Sequence, residues 1–354
     1  MQFKCRIVAV SLLALLAAAS CAELEQPVPE ETSIAFSAVV SGDMPATRAS
    51  GMISNDADLQ DEGFGVFGCY TGLHNYSESD ASSSFMYNQQ VEWVSGDSRW
   101  EYDPVKYWPG EEGHKVSFFA YAPYSAGDGT GCIPSYVRYQ EKGDPWIMYR
   151  IADNVDDQVD LLYAAPLLDQ TRPAVNERLE FNFKHALACV GEKVTLDCSD
   201  ALVTRQKSDV DAGTIDEASY ILKSMKIKYV LTAKGRLNLW NKGVANWTPI
   251  QSEDVLTTRT VTLFSGETYF LHYKQGDSDV TKGWSDQDHG VFCIPVEASG
   301  YPQKVIIEMD YKILRSKGGA VVTETDRSVS SELLLQGRIQ EGKTLDINIT
   351  LTNE

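Results

Sequence analysis

The sequence predicts an all-β protein built as two β-sandwiches in series behind an N-terminal export signal. Three observations carry that reading. Apolar and polar residues alternate with period two in short runs over most of the chain, as half-buried strands require. Gly, Pro, Asn and Asp separate the runs, which is the punctuation of turns. Helical periodicity is scarce, and "SDVDAGTIDEASYILKS" (208–224) reads as a loop with one helical turn. Strands with one apolar face bury it by stacking sheet on sheet.

The chain opens on a leader. Lys4 and Arg6 precede an apolar stretch, Ile7 to Leu16, which is too short to cross a hydrocarbon layer of about 30 Å as a helix. Ala17, Ala18, Ala19 and Ser20 follow, and then Cys21. This is the anatomy of a secretory signal, and a cysteine at the cleavage point resembles a bacterial lipobox, with Ala18 where a Leu is usual. Residues 1–20 are therefore expected to leave as a lipoprotein signal peptide. Acyl chains on the Cys21 thiol would hold the remainder in a membrane. Residues 21–31, with Glu23, Glu25, Glu30 and Glu31 around Pro27 and Pro29, form a tether. No later segment is apolar enough to span a bilayer as a helix.

"TSIAFSAVV" (32–40) begins the alternation and puts Ile34, Phe36 and Ala38 on one face. "FGVFGCY" (64–70), "MYNQQVEWV" (86–94), "KVSFFAYAP" (115–123), "PWIMYRI" (145–151) and "VDLLYA" (159–164) continue it. The pattern breaks at "PLLDQTRPAVNER" (166–178), which has two prolines and no periodicity. The boundary falls there, giving sandwiches over 32–168 and 169–354, each of ordinary domain size. The second half runs through "LEFNFKHALACVGEKVTLD" (179–197), "SMKIKYVLT" (224–232), "GRLNLW" (235–240) and "TVTLFSG" (260–266). "VFCIPVE" (291–297), "KVIIEMDYKIL" (304–314), "SELLLQGRI" (331–339) and "KTLDINITLTN" (343–353) complete it.

Charge and cysteines narrow the function. There are 31 basic and 50 acidic residues, a net charge of −19, and loss of Lys4 and Arg6 with the leader deepens it. Such a surface repels phosphate backbones, so nucleic acid is not an expected partner. Of seven cysteines, Cys5 leaves with the leader and Cys21 is acylated. Cys69, Cys132, Cys189, Cys198 and Cys293 are odd in number and include no CxxC, so buried thiols are expected rather than a zinc or redox site.

Catalytic signatures are missing: no GxSxG, HExxH or phosphate-cradling glycine loop occurs. No enzyme activity, cofactor or metal is expected. The five histidines are scattered, and His185, near Phe183 and Ala186, reads as a hydrogen-bonded core residue. "ADNVDDQVD" (152–160) lacks the spacing of a calcium loop and reads as solvated. "VEWVSGDSRWEYDPVKYWPG" (91–110) is dense in aromatics. Trp100, Tyr107 and Trp108 could offer a stacking platform for sugar rings, but the strand-like alternation of Trp100 and Tyr102 favours core filling.

Together these runs resemble the fimbrillin-like surface proteins of Bacteroides and their relatives. "WEYDPVKYWP" (100–109) followed by "VSFFAYAP" (116–123), and "VDLLYA" (159–164) followed by "LEFNFKHALA" (179–188), are the most specific parts. "ATRAS" (46–50), "FGVFG" (64–68) and "FMYNQQVEW" (85–93) add to them. The resemblance implies two tandem transthyretin-like, Greek-key β-sandwiches and a lipoprotein precursor at the cell outer membrane. It also implies cleavage by an Arg-specific protease between Arg48 and Ala49. That cut would remove the lipid and the first strand, and the groove left by Ile34, Phe36 and Ala38 would accept a strand from another subunit.

The C-terminal run has two readings. Leu345, Ile347, Ile349 and Leu351 alternate with polar residues, as a strand filling a groove on one side does. They could be a donor for a neighbour's groove, or the last strand of their own sandwich, which is the expectation here. The function expected is a structural or accessory subunit of a surface fimbria, partnered by itself or by other fimbrial subunits. Two alternatives stand beside it: a lipid-anchored protein that binds glycan or a host ligand without polymerising, and a fimbrial anchor that keeps its lipid.

Overall fold

The period-two runs become strands, and the side on which each one is apolar decides where it packs. The computed structural model describes residues 32–41, 51–126, 142–174, 177–250, 255–296 and 300–352. Cys21, Arg48, Ala49 and Cys132 lie outside them.

The largest sheet runs in the order β1 (Phe36–Val40), β9 (Leu179–His185), β7 (Leu162–Ala164), β5 (Lys115–Ala122), β2 (Phe64–Gly72), β3 (Met86–Val94) and β4 (Arg99–Glu101). Beside β5 lies β8 (Leu167–Thr171). A three-stranded sheet joins β6 (Trp146–Arg150), β12 (Lys234–Asn238) and β13 (Asn246–Pro249). In the second half, β10 (Ala188–Cys198) pairs with β16 (Trp284–Gln287), β17 (Val291–Cys293) and β20 (Thr344–Leu351). Facing it is a sheet in the order β15 (Thr281–Lys282), β14 (Leu256–Lys274), β11 (Glu217–Thr232), β18 (Lys304–Lys317) and β19 (Ala320–Leu334).

Three apolar cores follow from this layout. One gathers Phe36, Phe64, Phe118, Phe181 and Phe183 in the first half. Another gathers Val194, Leu196, Tyr220, Ile227, Phe270 and Tyr311 in the second. The third is shared: Phe67, Tyr121 and Tyr149 meet Leu237, Phe292 and Ile294. The three-stranded sheet is shared as well, since β6 comes from one half and β12 and β13 from the other. Buried Arg259 adds a polar tie, donating from Nη2 to the Ala152 carbonyl (2.9 Å) and from Nε to the Asp153 carbonyl (3.2 Å).

Two expectations shift. Sheet membership does not change at residue 168: β8 crosses that position, and β9 sits between β1 and β7 in the first sheet. The reason is burial, because Phe181 and Phe183 complete the core around Phe36. Residues 32–354 accordingly form one compact unit. The second shift concerns helix. A twelve-residue helix, α2 (Asp200–Asp211), precedes β11, with α1 (Asp56–Glu62) earlier in the chain. Leu202, Gln206 and Val210 are buried at helical spacing, and the Ser199 hydroxyl caps the helix by accepting from the Leu202 N–H at 3.3 Å. The sequence pattern predicts only a turn there, and predicts it too late. No helix among the described residues is long and apolar enough to cross a membrane.

Candidate strand-exchange site

The site is built from the segment 32–41. Its alternation turns Ile34, Phe36 and Ala38 inward, at 2, 1 and 9% exposure. The Phe36 ring sits among Tyr102, Phe118 and Phe181 at centroid distances of 5.5, 5.6 and 5.5 Å, with Phe64 at 6.5 Å. Burying side chains of the size of Ile34 and Phe36 stabilises the fold by about 1.5–3 kcal/mol each.

The backbone is held mainly from one side. β1 is parallel to β9, from Phe36 opposite Leu179 to Val40 opposite Phe183. The Leu179 N–H donates to the Ala35 carbonyl and the Ser41 N–H to the Phe183 carbonyl, both at 2.8 Å. Among the described residues β9 is the only neighbour of β1 in the sheet, so β1 closes one end of it. Its entry is clipped to the aromatic loop. The Ile34 N–H donates to the Lys106 carbonyl (2.8 Å), the Trp108 N–H donates to the Thr32 carbonyl (3.0 Å), and the Tyr102 hydroxyl donates to the Ile34 carbonyl (2.8 Å). At the exit, the Val40 N–H donates to Asp56 Oδ1 at 2.7 Å. A cavity of about 610 Å³ opens beside Ser33–Ala35, against Trp100, Tyr102, Val105 and Arg178.

Beyond the predicted cut between Arg48 and Ala49, which lies outside the described residues, the chain is anchored again at Gly51. The Asp160 N–H donates to the Gly51 carbonyl at 2.9 Å. Gly51 has φ +82°, and a Cβ there would lie 2.2 Å from the Gln158 carbonyl oxygen, so the position requires glycine. Asp160 then bonds His185: Oδ2 lies 2.6 Å from Nδ1, and both side chains are buried. His185 is the core residue its neighbours suggested. Asp160 is not part of the solvated loop expected over 152–160, because it turns inward to His185 while Asp153, Asp156 and Asp157 stay exposed.

The other sequence candidates separate. Trp100 and Trp108 are 7 and 6% exposed, packed on Phe64 and Phe118 at 4.8 and 6.1 Å, while Tyr107 alone is exposed. Two of the three rings considered as a sugar platform are thus spent on the core around β1. The C-terminal strand, β20, runs parallel to β10 of its own chain, from Thr344 opposite Cys189 to Leu351 opposite Cys198. Ile347 is fully buried there, and Leu345, Ile349 and Leu351 pack against the same core half-buried. Between β20 and the β18–β19 pair a groove of about 580 Å³ remains, lined by Met309, Tyr311, Val329, Leu333, Ile349 and Leu351. Sequence reasoning gave no sign of this groove, which depends on how two sheets splay.

Cys69, Cys189, Cys198 and Cys293 are buried free thiols. Burial pushes Cys69 up to about 11 and Cys198 and Cys293 up to about 12, so they stay protonated and inert. Among the described residues, no group of three or more His, Cys, Asp or Glu side chains is placed to hold a metal.

β1 thus closes one end of its sheet and buries three side chains in the core of the first half. Residues 47–284 match the profile of the family described as fimbrillin-like. The chain belongs to the fimbrillin-like family. A relative, the fimbrium subunit Fim1C of Phocaeicola vulgatus, is 27% identical over 190 residues, which cover 51% of this chain and 45% of that protein. The chain therefore spans less than half the length of that relative. The crystal structure of a fimbrial protein from Bacteroides vulgatus superposes with a TM-score of 0.57 at 19% identity, covering 90% of this chain and 95% of the other. That likeness is one of fold, and it extends through both halves of this fimbrillin-like chain.

Proposed function

We propose that this protein is a subunit of a bacterial surface fimbria, exported as a lipoprotein acylated at Cys21 and assembled after cleavage between Arg48 and Ala49. The observation that carries the reading is the one-sided seating of β1. Among the described residues its strand ladder runs to β9 alone, the inward chains of Ile34, Phe36 and Ala38 fill the core, and hydrogen bonds to the 102–108 loop and Asp56 clip its two ends. Another strand with small or large apolar residues at alternate positions would meet the same ladder and fill the same core. The cut falls between two anchored points, Ser41 and Gly51, so it detaches β1 covalently and leaves the rest of the sheet tied at Asp160. The groove left open would be a costly edge, and a strand from another subunit would relieve it. Leu345, Ile347, Ile349 and Leu351 are the donor candidates in sequence, although they sit in their own sheet here.

The test compares wild type with Arg48→Ala in cells. Wild type should yield fimbriae by electron microscopy and a mature N-terminus of Ala49-Ser50-Gly51, whereas Arg48→Ala should accumulate as an acylated precursor without fibres. Mature wild-type protein that still begins at Cys21 would sink the polymerising role and leave the lipid-retained anchor.

A further inference from the structure

The outward face of the shared three-stranded sheet carries charge that the assembly reading does not use. In β6 and β12, Ile147, Tyr149 and Leu237 point into the shared core. The alternate positions therefore face out. The register sets Lys234 opposite Arg150, Arg236 opposite Met148 and Asn238 opposite Trp146. On the other side, β13 places Thr248 opposite Arg236 and Asn246 opposite Asn238.

We propose that this face binds an acidic polysaccharide through Arg150, Lys234 and Arg236, with Trp240 as its stacking surface. Like charges directly opposite each other destabilise a ladder, and here Lys234 faces Arg150. The chain has 50 acidic residues against 31 basic, so carboxylates to neutralise the pair are abundant. Yet among the described residues neither Lys234 nor Arg236 has one within ion-pairing distance, and the exposed Arg150 reaches only Asp153 of its own loop, at 3.3 Å. Lys234 and Arg236 are thus left without a carboxylate, beside an Arg150 whose one ion pair is the exposed contact to Asp153.

Geometry favours a polymer with repeated charge. Cations two residues apart on a strand are separated by about 7 Å, and those on neighbouring strands by about 5 Å. The Arg236 guanidinium is stacked over the Trp146 ring at 5.4 Å, which restrains the fork that recognises carboxylate and sulfate in bidentate fashion. Trp240, 38% exposed, follows β12 by two residues, with its ring edge-on to Tyr76 at 6.1 Å. Asn238 holds it by accepting its N–H at 2.8 Å, and Asn246 by donating to its carbonyl at 3.2 Å. An exposed indole offers an apolar ring face with a polar edge, as a sugar ring requires and a polyanionic peptide does not. The net negative charge elsewhere does not oppose this, because charges beyond about 8 Å are screened at physiological salt.

The test measures binding of heparin and hyaluronan to the purified protein by calorimetry, with dextran as the uncharged control. Hyaluronan carries carboxylates only, so it separates carboxylate from sulfate recognition. We expect at least one acidic polymer to bind, dextran not to bind, and affinity to fall as salt rises. A Lys234→Glu/Arg236→Glu variant should lose at least tenfold in affinity with its melting temperature unchanged or raised, since the carboxylate introduced opposite Arg150 would pair with it. Arg236→Gln, which reverses no charge, should weaken binding in the same direction, and Trp240→Ala should weaken the polysaccharides without altering the fold. Equal affinity in wild type and the double variant, or no binding of either polymer to wild type, would overturn the proposal. Polyglutamate binding as tightly as the polysaccharides would overturn the assignment to sugar.

Discussion

Glu192 shows how much one residue can be set against its surroundings. It lies in β10 where the register with β20 shifts between Val190 and Val194. One carboxylate oxygen is buried without a hydrogen-bond partner. Burial raises its pKa, Asp288 and Asp346 raise it further, and the Gly290 N–H and His289 offset part of this. A carboxyl whose pKa is higher folded than unfolded stabilises the protein at low pH, and that contribution is lost as pH rises through the folded value. Glu192→Gln should therefore melt above wild type at pH 7.5. The difference should vanish below about pH 4, where the unfolded glutamate is also protonated. Thermal melts across that range check it, and an equal difference at every pH would refute it. Nothing local in "CVGEKV" announces this position, because the acids around it arrive from residues 288 and 346. His185 was legible from its apolar neighbours, but its partner Asp160 was not: it stands 25 residues away in an acidic run that looks solvated.

At the scale of elements, period two identified strands well and partners poorly. The alternation of "LEFNFKH" fixes an inward face of Phe181, Phe183 and His185, but it does not say which sheet receives it. That is decided by the fit of the two phenylalanines around Phe36. The helix α2 was missed because its buried stripe includes Gln206, a polar residue that breaks the apolar signal. β20 was legible as a one-faced strand, and its pairing with β10 gives the deletion of residues 343–354 a definite outcome. Fully buried Ile347 alone is worth about 1.5–3 kcal/mol, and β10 would be left as a bare edge open to aggregation. The truncated protein should melt earlier than wild type and run as larger species on size exclusion. A monomer with an unchanged melting temperature would mark the strand as dispensable and therefore free to be donated.

For the whole molecule, the decisive quantity is how firmly the body keeps β1 once the chain is cut. The five-residue ladder and the buried Ile34 and Phe36 persist after cleavage, so cutting alone should not release the strand. Protein nicked after Arg48 should run as one species on a native gel and shed its N-terminal peptide only in mild denaturant. Phe36→Ala, which removes a core ring at a cost of about 3–5 kcal/mol, should shed it without denaturant. Release from wild type on cutting alone would show that the strand is held too weakly to need a competitor. The succession of strands and the acidic balance were visible in the sequence. The shared core and shared sheet that join the halves were not, because they bring into one cluster residues as far apart in sequence as Tyr149 and Phe292.

The parallel direction of β1 has a mechanical consequence. Tension on the chain ahead of Thr32 enters β1 at its N-terminal end, while the body takes up the opposing pull through the chain that leaves β9 after His185. In a parallel pair those two points lie at opposite ends of the ladder, so the load is shear. All five pairs and the inward side chains must slide together. An antiparallel pair pulled through the same two ends would open like a zipper, one bond at a time. Under the proposed anchoring at Cys21, the fold would resist traction ahead of Thr32 with the whole of β1 at once, and the rate of forced unfolding would be set by that collective step.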